Sequence, residues 1–278
     1  MFWLTLSVLA DFVFMQFFKL SQRRGYRAPV VVATNYLVVG ATLSAFLMFK
    51  GQFVFSDAAI RTGIVTGIVF ISSLSLMTRV LDFVAVGAVL TAFRTSIAVP
   101  IVLGVWFWGE RLDLSQVGGI ALTLLALLLM TSSACKSTQL TGIKTFGLLV
   151  AVFLLQGGSH SCLRSVHYSG MDDEFVQIIL MTGATAGTIG AIFILARRRL
   201  PKLPELAMGA TIGFYNAVVL CVVMITLSKM PGTLFFPILG CSVVLLDNLT
   251  AHFVWKERLN RLAGVGVGVA VLGIVLVI

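Results

Sequence analysis

Residues 108–112 read Trp-Gly-Glu-Arg-Leu, and 147 positions later residues 255–259 read Trp-Lys-Glu-Arg-Leu. The first copy is followed by Gly118-Gly119 and an apolar run, the second by Gly264, Gly266 and Gly268 and another apolar run. The offset is about half of the 278-residue chain, so the sequence reads as two copies of one unit, residues 1–134 and 141–278. Working outward, ten apolar segments appear, five per copy: 2–18, 29–48, 60–78, 84–107, 115–131, 143–163, 175–195, 206–227, 233–254 and 260–278. An odd number of crossings per copy inserts the second copy upside down relative to the first. Inverted repeats of this kind place a ligand site near the bilayer midplane between the halves. The expected fold is an all-α integral membrane protein with ten transmembrane helices in two inverted five-helix repeats.

Composition supports the membrane assignment. Hydrophobic residues make up 59% of the chain and charged residues 11%, against about 25% charged in an average soluble domain. With a mean hydropathy of +1.05 there is too little polar surface to cover a water-soluble fold. Ten crossings use about 200 residues, which leaves no room for a soluble catalytic or binding domain. Segments of this length are helices, because an open sheet edge cannot be satisfied in lipid. Trp3, Trp106, Trp108 and Trp255 fall near segment ends, where interfacial aromatics sit.

Twenty Lys and Arg against eleven Asp and Glu give a formal charge of +9. No aromatic-basic motif accompanies this excess, so nucleic acid is not an expected partner. The charge instead reads as cationic loops, with Arg23-Arg24 and Arg197-Arg198-Arg199 placed to meet anionic lipid head groups. The loops after odd-numbered segments hold fourteen Lys and Arg and the opposite set holds five: Lys50, Arg61, Arg111, Arg164 and Lys229. The richer side is expected to be cytoplasmic, which puts both termini outside a plasma membrane. The first segment lacks a basic leader and a small-residue cleavage pattern, and reads as a retained helix. The four cysteines form no CxxC pair and no metal spacing, so neither a metal nor a cofactor is expected.

Charged groups within the apolar segments are the functional candidates, because each costs at least about 2.5–3.5 kcal/mol to insert. Asp11 lies mid-segment and is a candidate proton or cation site. Arg94 and Asp247 lie at the centres of the fourth and ninth segments, which are repeat partners. An arginine cannot discharge and needs a partner. Three are open to Arg94: Asp247, Asp11, or the carboxylate of a substrate. Asn248 and His252 follow Asp247, and His160 is a candidate proton relay. Asn35, Gln156, Tyr215 and Asn216 are candidates for a cavity lining, with helix-to-helix hydrogen bonding as the plainer role. Pro100 and Pro237 are expected to break the fourth and ninth segments and to free backbone carbonyls. Glu110-Arg111 and Glu257-Arg258 read as interfacial caps and salt bridges. The small-residue runs Gly183-x3-Gly187 and Gly264-x-Gly266-x-Gly268 read as close helix contacts.

The Trp-x-Glu-Arg-Leu unit with its glycine-bearing helix, present at the end of both halves, resembles the EamA-type branch of the drug/metabolite transporter superfamily across essentially the whole chain. Leu9-Ala10-Asp11, with Lys19 and Ser21 downstream, is similar to the first helix of small multidrug resistance proteins, as Arg111-Leu112-Asp113-Leu114 is to their last loop. In those proteins an acidic residue, usually Glu, exchanges protons for cationic drugs. Here it is Asp11, and its repeat mate (aligning Arg164 with Lys19) is the neutral Gln156. The resemblance implies a secondary transporter of small metabolites such as amino acids or organic acids, working by alternating access as a monomer or homodimer. Asp11 and Asp247 are then candidates for proton coupling. Ten-helix relatives are drawn with cytoplasmic termini, opposite to the charge count. A cationic drug/proton exchanger, a lipid-carrier flippase and a non-transporting membrane sensor or assembly protein are the alternatives. An enzyme is not expected: Asp247-Asn248 with His252 lacks a nucleophile or metal set. The absence of a G-x-x-x-x-G-K-[ST] loop argues against direct drive by ATP.

Overall fold

The computed structural model describes residues 1–81, 83–84, 86–131, 143–196, 200–254 and 261–277. The described residues form eleven α-helices and one 3-10 turn, with no strand. The first half holds α1 (Phe2–Arg23), α2 (Ala28–Phe49), α3 (Asp57–Val80), α4 (Val86–Thr95), α5 (Ala98–Trp106) and α6 (Leu114–Thr131). The second holds α7 (Ile143–Tyr168), the 3-10 turn Asp172–Glu174, α8 (Phe175–Ala196), α9 (Leu203–Leu227), α10 (Gly232–Phe253) and α11 (Arg261–Val277). Eight stretches of the described residues are long and apolar enough to cross a membrane, the pair α4–α5 counting as one. The apolar parts of α6 and α11, Leu114–Leu129 and Gly264–Val277, are shorter. Outward faces carry large apolar side chains, such as Ile192, Phe214, Leu272 and Val275. Water would penalise that surface and lipid would not. The chain is a multi-pass helical membrane protein.

In lipid, helices associate by close packing and polar contacts, since the tails are as apolar as the side chains. Small residues therefore sit at the seams. A Cβ on Gly187 would lie 2.6 Å from the Leu37 amide nitrogen, and one on Gly183 would lie 2.9 Å from the Gly40 nitrogen. Thus α2 and α8 cross backbone to backbone, antiparallel. Gly63 and Gly67 seat α3 on the Ile178–Thr185 stretch of α8, while Gly209 and Gly213 seat α9 on the Val31–Val38 stretch of α2. On the far side of the molecule, Gly119 of α6 meets Gly273 and Val277 of α11.

One expected break is present, and two expectations are corrected. The fourth apolar segment is two helices, broken at Ser96–Ile97. Pro100 has no N–H for the Ser96 carbonyl four residues back. Val99 takes that carbonyl in a tighter turn at 2.9 Å, and the Ser96 hydroxyl donates to the Phe93 carbonyl. Pro237, in contrast, does not break its helix: α10 runs through it, with only the first turn affected and that turn's amides held from outside. Lastly, a Cβ on Gly264 or Gly268 would meet nothing within 4 Å, so these two members of the run make no close contact; Gly273, further along α11, does.

Seam and open glycines should respond differently to the same change. Gly187→Ala forces α2 and α8 apart and should cost about 1–3 kcal/mol. Gly264→Ala adds a methyl group in open space and should be neutral or stabilising by under about 1 kcal/mol. Thermal unfolding of the two purified variants in one detergent checks the contrast. A Gly187→Ala protein as stable as the parent would refute the tight seam.

Candidate substrate site

Three helices bring the charged residues together. Arg94 is the penultimate residue of α4, next to the break at Ser96. Its Nη2 donates to Asp247 Oδ2 on α10 at 3.4 Å. The other carboxylate oxygen of Asp247 accepts from Gln16 Nε2 on α1 at 2.8 Å. Of its two candidate partners within the chain, Arg94 bonds Asp247 and not Asp11 among the described residues. The contact is long and, among the described residues, uses one of the five guanidinium donors, whereas the Gln16 bond is short. The side chains of Arg94 and Asp247 keep 20% and 25% of their surface exposed, so packing does not seal the pair.

Asp11 lies on α1, one and a half turns before Gln16. Among the described residues it makes no direct ion pair, yet Arg94 attracts it and Asp247 repels it. Tyr215 of α9 stands within the field of Asp11 and packs edge-on against Phe17. Lys19 acts on Asp247. Two carboxylates and two cations thus balance at the junction of α1, α4 and α10.

A second polar chain adjoins this group. Ser73 of α3 donates to Gln156 Oε1 on α7 at 2.7 Å, and Gln156 Nε2 lies 3.1 Å from His160 Nε2 one turn along. His160 packs against Phe236 of α10 and stands within the field of Arg94. Gln156 is thus linked to the charged group through His160.

The remaining candidates lie elsewhere. Asn216 donates to Asn35 at 3.1 Å in a buried contact between α9 and α2, so each amide is occupied by helix pairing. Asn248 donates to the Val244 carbonyl of its own helix. The side chain of His252 and the stretch Trp255–Leu259 lie outside the described residues. Gln16 escaped the reading of the sequence, because a neutral amide on an amphipathic-looking helix carries no signal of its own. Among the described residues no cluster of His, Cys, Asp or Glu could hold a metal.

The first Trp-x-Glu-Arg-Leu copy builds a separate polar centre at the end of the bundle. Gly109, at φ 65°, turns the chain so that Glu110 points inward. Glu110 Oε1 accepts from Arg164 Nη2 at 2.7 Å and Nε at 3.1 Å, from the Tyr168 hydroxyl, and from the Gly232 amide at 3.0 Å. Its Oε2 accepts from the Thr233 amide at 2.8 Å. Arg164 also donates to the Leu227 and Met230 carbonyls. The carboxylate caps the start of α10 and the guanidinium caps the end of α9, each at the end of the helix dipole that suits its charge. Arg164, counted as a loop charge above, is a buried partner. Burial works to raise the Glu110 carboxyl, but hydrogen bonds from Thr233, Tyr168 and Arg164 outweigh it and hold the group low, at about 2.

No family model matches the chain. A protein of Haemophilus influenzae (strain ATCC 51907 / DSM 11121 / KW20 / Rd), described as uncharacterized, is 21% identical over 274 residues, which span 95% of this chain and 93% of that one. A solved crystal structure matches with a TM-score of 0.80 at 12% identity, covering 98% of this chain and 95% of the other. The architecture is thus one seen by experiment, with both chains matched nearly end to end.

Because the folded Glu110 lies near 2, below its ordinary 4.5, its contribution is full above pH 4.5 and is lost as pH falls through 2. The stability gap between the parent and Glu110→Gln should stay constant from pH 7 to about 5 and shrink below that. Thermal unfolding across this range in an acid-tolerant detergent measures it. A gap independent of pH down to about 2 would mean that the carboxylate charge is not what the site holds.

Proposed function

We propose that the chain is a secondary transporter of small metabolites, with amino acids or organic acids as the substrate class, moved by alternating access between two halves. The observation that carries this reading is the Arg94–Asp247–Gln16 contact with Asp11 beside it. Charges are costly within apolar spans, and a merely structural pair would be sealed and short. This one is long, partly exposed and placed at a helix break. Its spare guanidinium donors suit a carboxylate, and Asp11 suits an ammonium group or a proton.

The packing supports two inverted repeats of the EamA type. Gly63 and Gly67 stand to α8 as Gly209 and Gly213 stand to α2, and the residues they meet differ by the same 147 positions, Val31 against Ile178 and Thr34 against Met181. The helices that pair with their own repeat mates, α2 with α8 and α6 with α11, cross antiparallel, as a two-fold axis lying in the membrane requires. On this reading α6 and α11 are the remaining two crossings. The Lys and Arg asymmetry puts both termini, and the end of the bundle that carries Glu110, on the outer side of the plasma membrane.

The test is a thermal-shift screen of a metabolite library on the purified protein at pH 6 and pH 8, followed by uptake into proteoliposomes. A ligand at about 100 times its Kd stabilises the native state by about 2.7 kcal/mol. Acids or amino acids should stabilise the parent and leave Arg94→Ala unmoved. Asp11→Asn should insert normally and lose transport. Stabilisation by lipophilic cations alone, stronger at pH 8, would replace this reading with cation/proton exchange. No transport of any stabilising ligand would leave the chain as a membrane sensor.

A further inference from the structure

The Glu110 centre joins parts that a transporter must move relative to one another. Glu110 belongs to the α5–α6 connection of the first half, and the partners of its carboxylate among the described residues, Arg164, Tyr168, Gly232 and Thr233, all belong to the second. Through them one carboxylate holds the end of α7, the end of α9 and the start of α10. Those are the helices that carry Gln156 and His160, Tyr215, and Asp247. Glu110 and Arg164 side chains are 4% and 3% exposed, against 25% and 20% for Asp247 and Arg94. This end of the bundle is tightly packed, while the Arg94–Asp247 pair is not sealed by its neighbours.

We propose that Glu110, Arg164 and Tyr168 form a releasable latch that closes one end of the path to the charged group. The proposal rests on the transport reading for its purpose, though not for its test. Release is physically feasible here because the centre lies at the end of the bundle. Trp108 stacks on Tyr168 with ring centroids 5.0 Å apart, at the level where interfacial aromatics sit. On opening, Glu110, Arg164 and the freed helix-end groups exchange one another for water and not for hydrocarbon. The glycine seams offer no such exchange and stay shut.

Ser7 reports the state of this end. Its hydroxyl lies 2.7 Å from that of Thr226, next to Leu227, whose carbonyl Arg164 holds, and it is fully buried between α1 and α9. In a background without Cys135, Cys162, Cys221 and Cys241, Ser7→Cys would be labelled with a membrane-impermeant maleimide in sealed vesicles. Gln52→Cys, exposed in the α2–α3 connection at the same end, marks the side and the amount of folded protein. With Glu110 intact, Ser7→Cys should label slowly. Adding Glu110→Gln should raise the rate about tenfold or more, the ratio expected for losing a charge-assisted hydrogen bond. Adding Arg164→Lys should give an intermediate rate. An unchanged rate in both variants, at normal Gln52→Cys labelling, overturns the latch. Labelling of Ser7→Cys from both sides marks unfolding and not opening, and in Arg164→Lys, the milder variant, also overturns it. Because no substrate enters the assay, a failed latch leaves the transport reading standing, and a failed substrate screen leaves the latch.

Discussion

The antiparallel crossing of α2 and α8 is the contact on which the remaining packing depends. Water supplies no force between helices inside a bilayer, so two apolar helices stay together only where their backbones approach closely. Gly40, Gly183 and Gly187 permit that approach, and both α3 and α9 are then seated on the same pair through glycines of their own. The four helices form a core that joins the halves. The helices with charged residues, α1, α4, α7 and α10, pack around it, and their ends are free to be held or released by polar bonds.

The polar groups divide accordingly. Where a charge is saturated, it holds structure: Glu110 and Arg164 satisfy one another and four helix-end groups, and Arg27 forks onto Glu205 to tie the start of α2 to the start of α9. Where a charge is under-satisfied, it is available. Among the described residues Arg94 spends one long bond on Asp247, and Asp11 is held by fields and not by a partner. The difference between the two centres is one of hydrogen-bond saturation, which the count of charges alone does not reveal.

Much of this was legible in the chain as written. A run of about 20 apolar residues is committed to lipid by its own transfer energy, with no need of a neighbour, so the spans and their connections follow from local sequence. The paired Trp-x-Glu-Arg-Leu units marked Glu110 as a structural group, and insertion cost alone marked Asp11, Arg94 and Asp247. Partnership is different in kind. Gln16 meets Asp247 across 231 positions and Arg164 meets Glu110 across 54, and nothing local to either residue carries that information. The same holds for glycines: Gly273 and Gly264 are identical in sequence terms, and only the path of α6 decides which one is a seam. The break at Ser96 lay between the two. Pro100 announced a defect, but whether it became a kink or a gap depended on what faced it, and Gly157 of α7 leaves room there for Val99 and the Ser96 carbonyl. Local transfer energy and backbone chemistry settle which residues enter the membrane as helices; close approach and hydrogen-bond saturation, which exist only between distant segments, settle which of their charges are spent and which remain free to act.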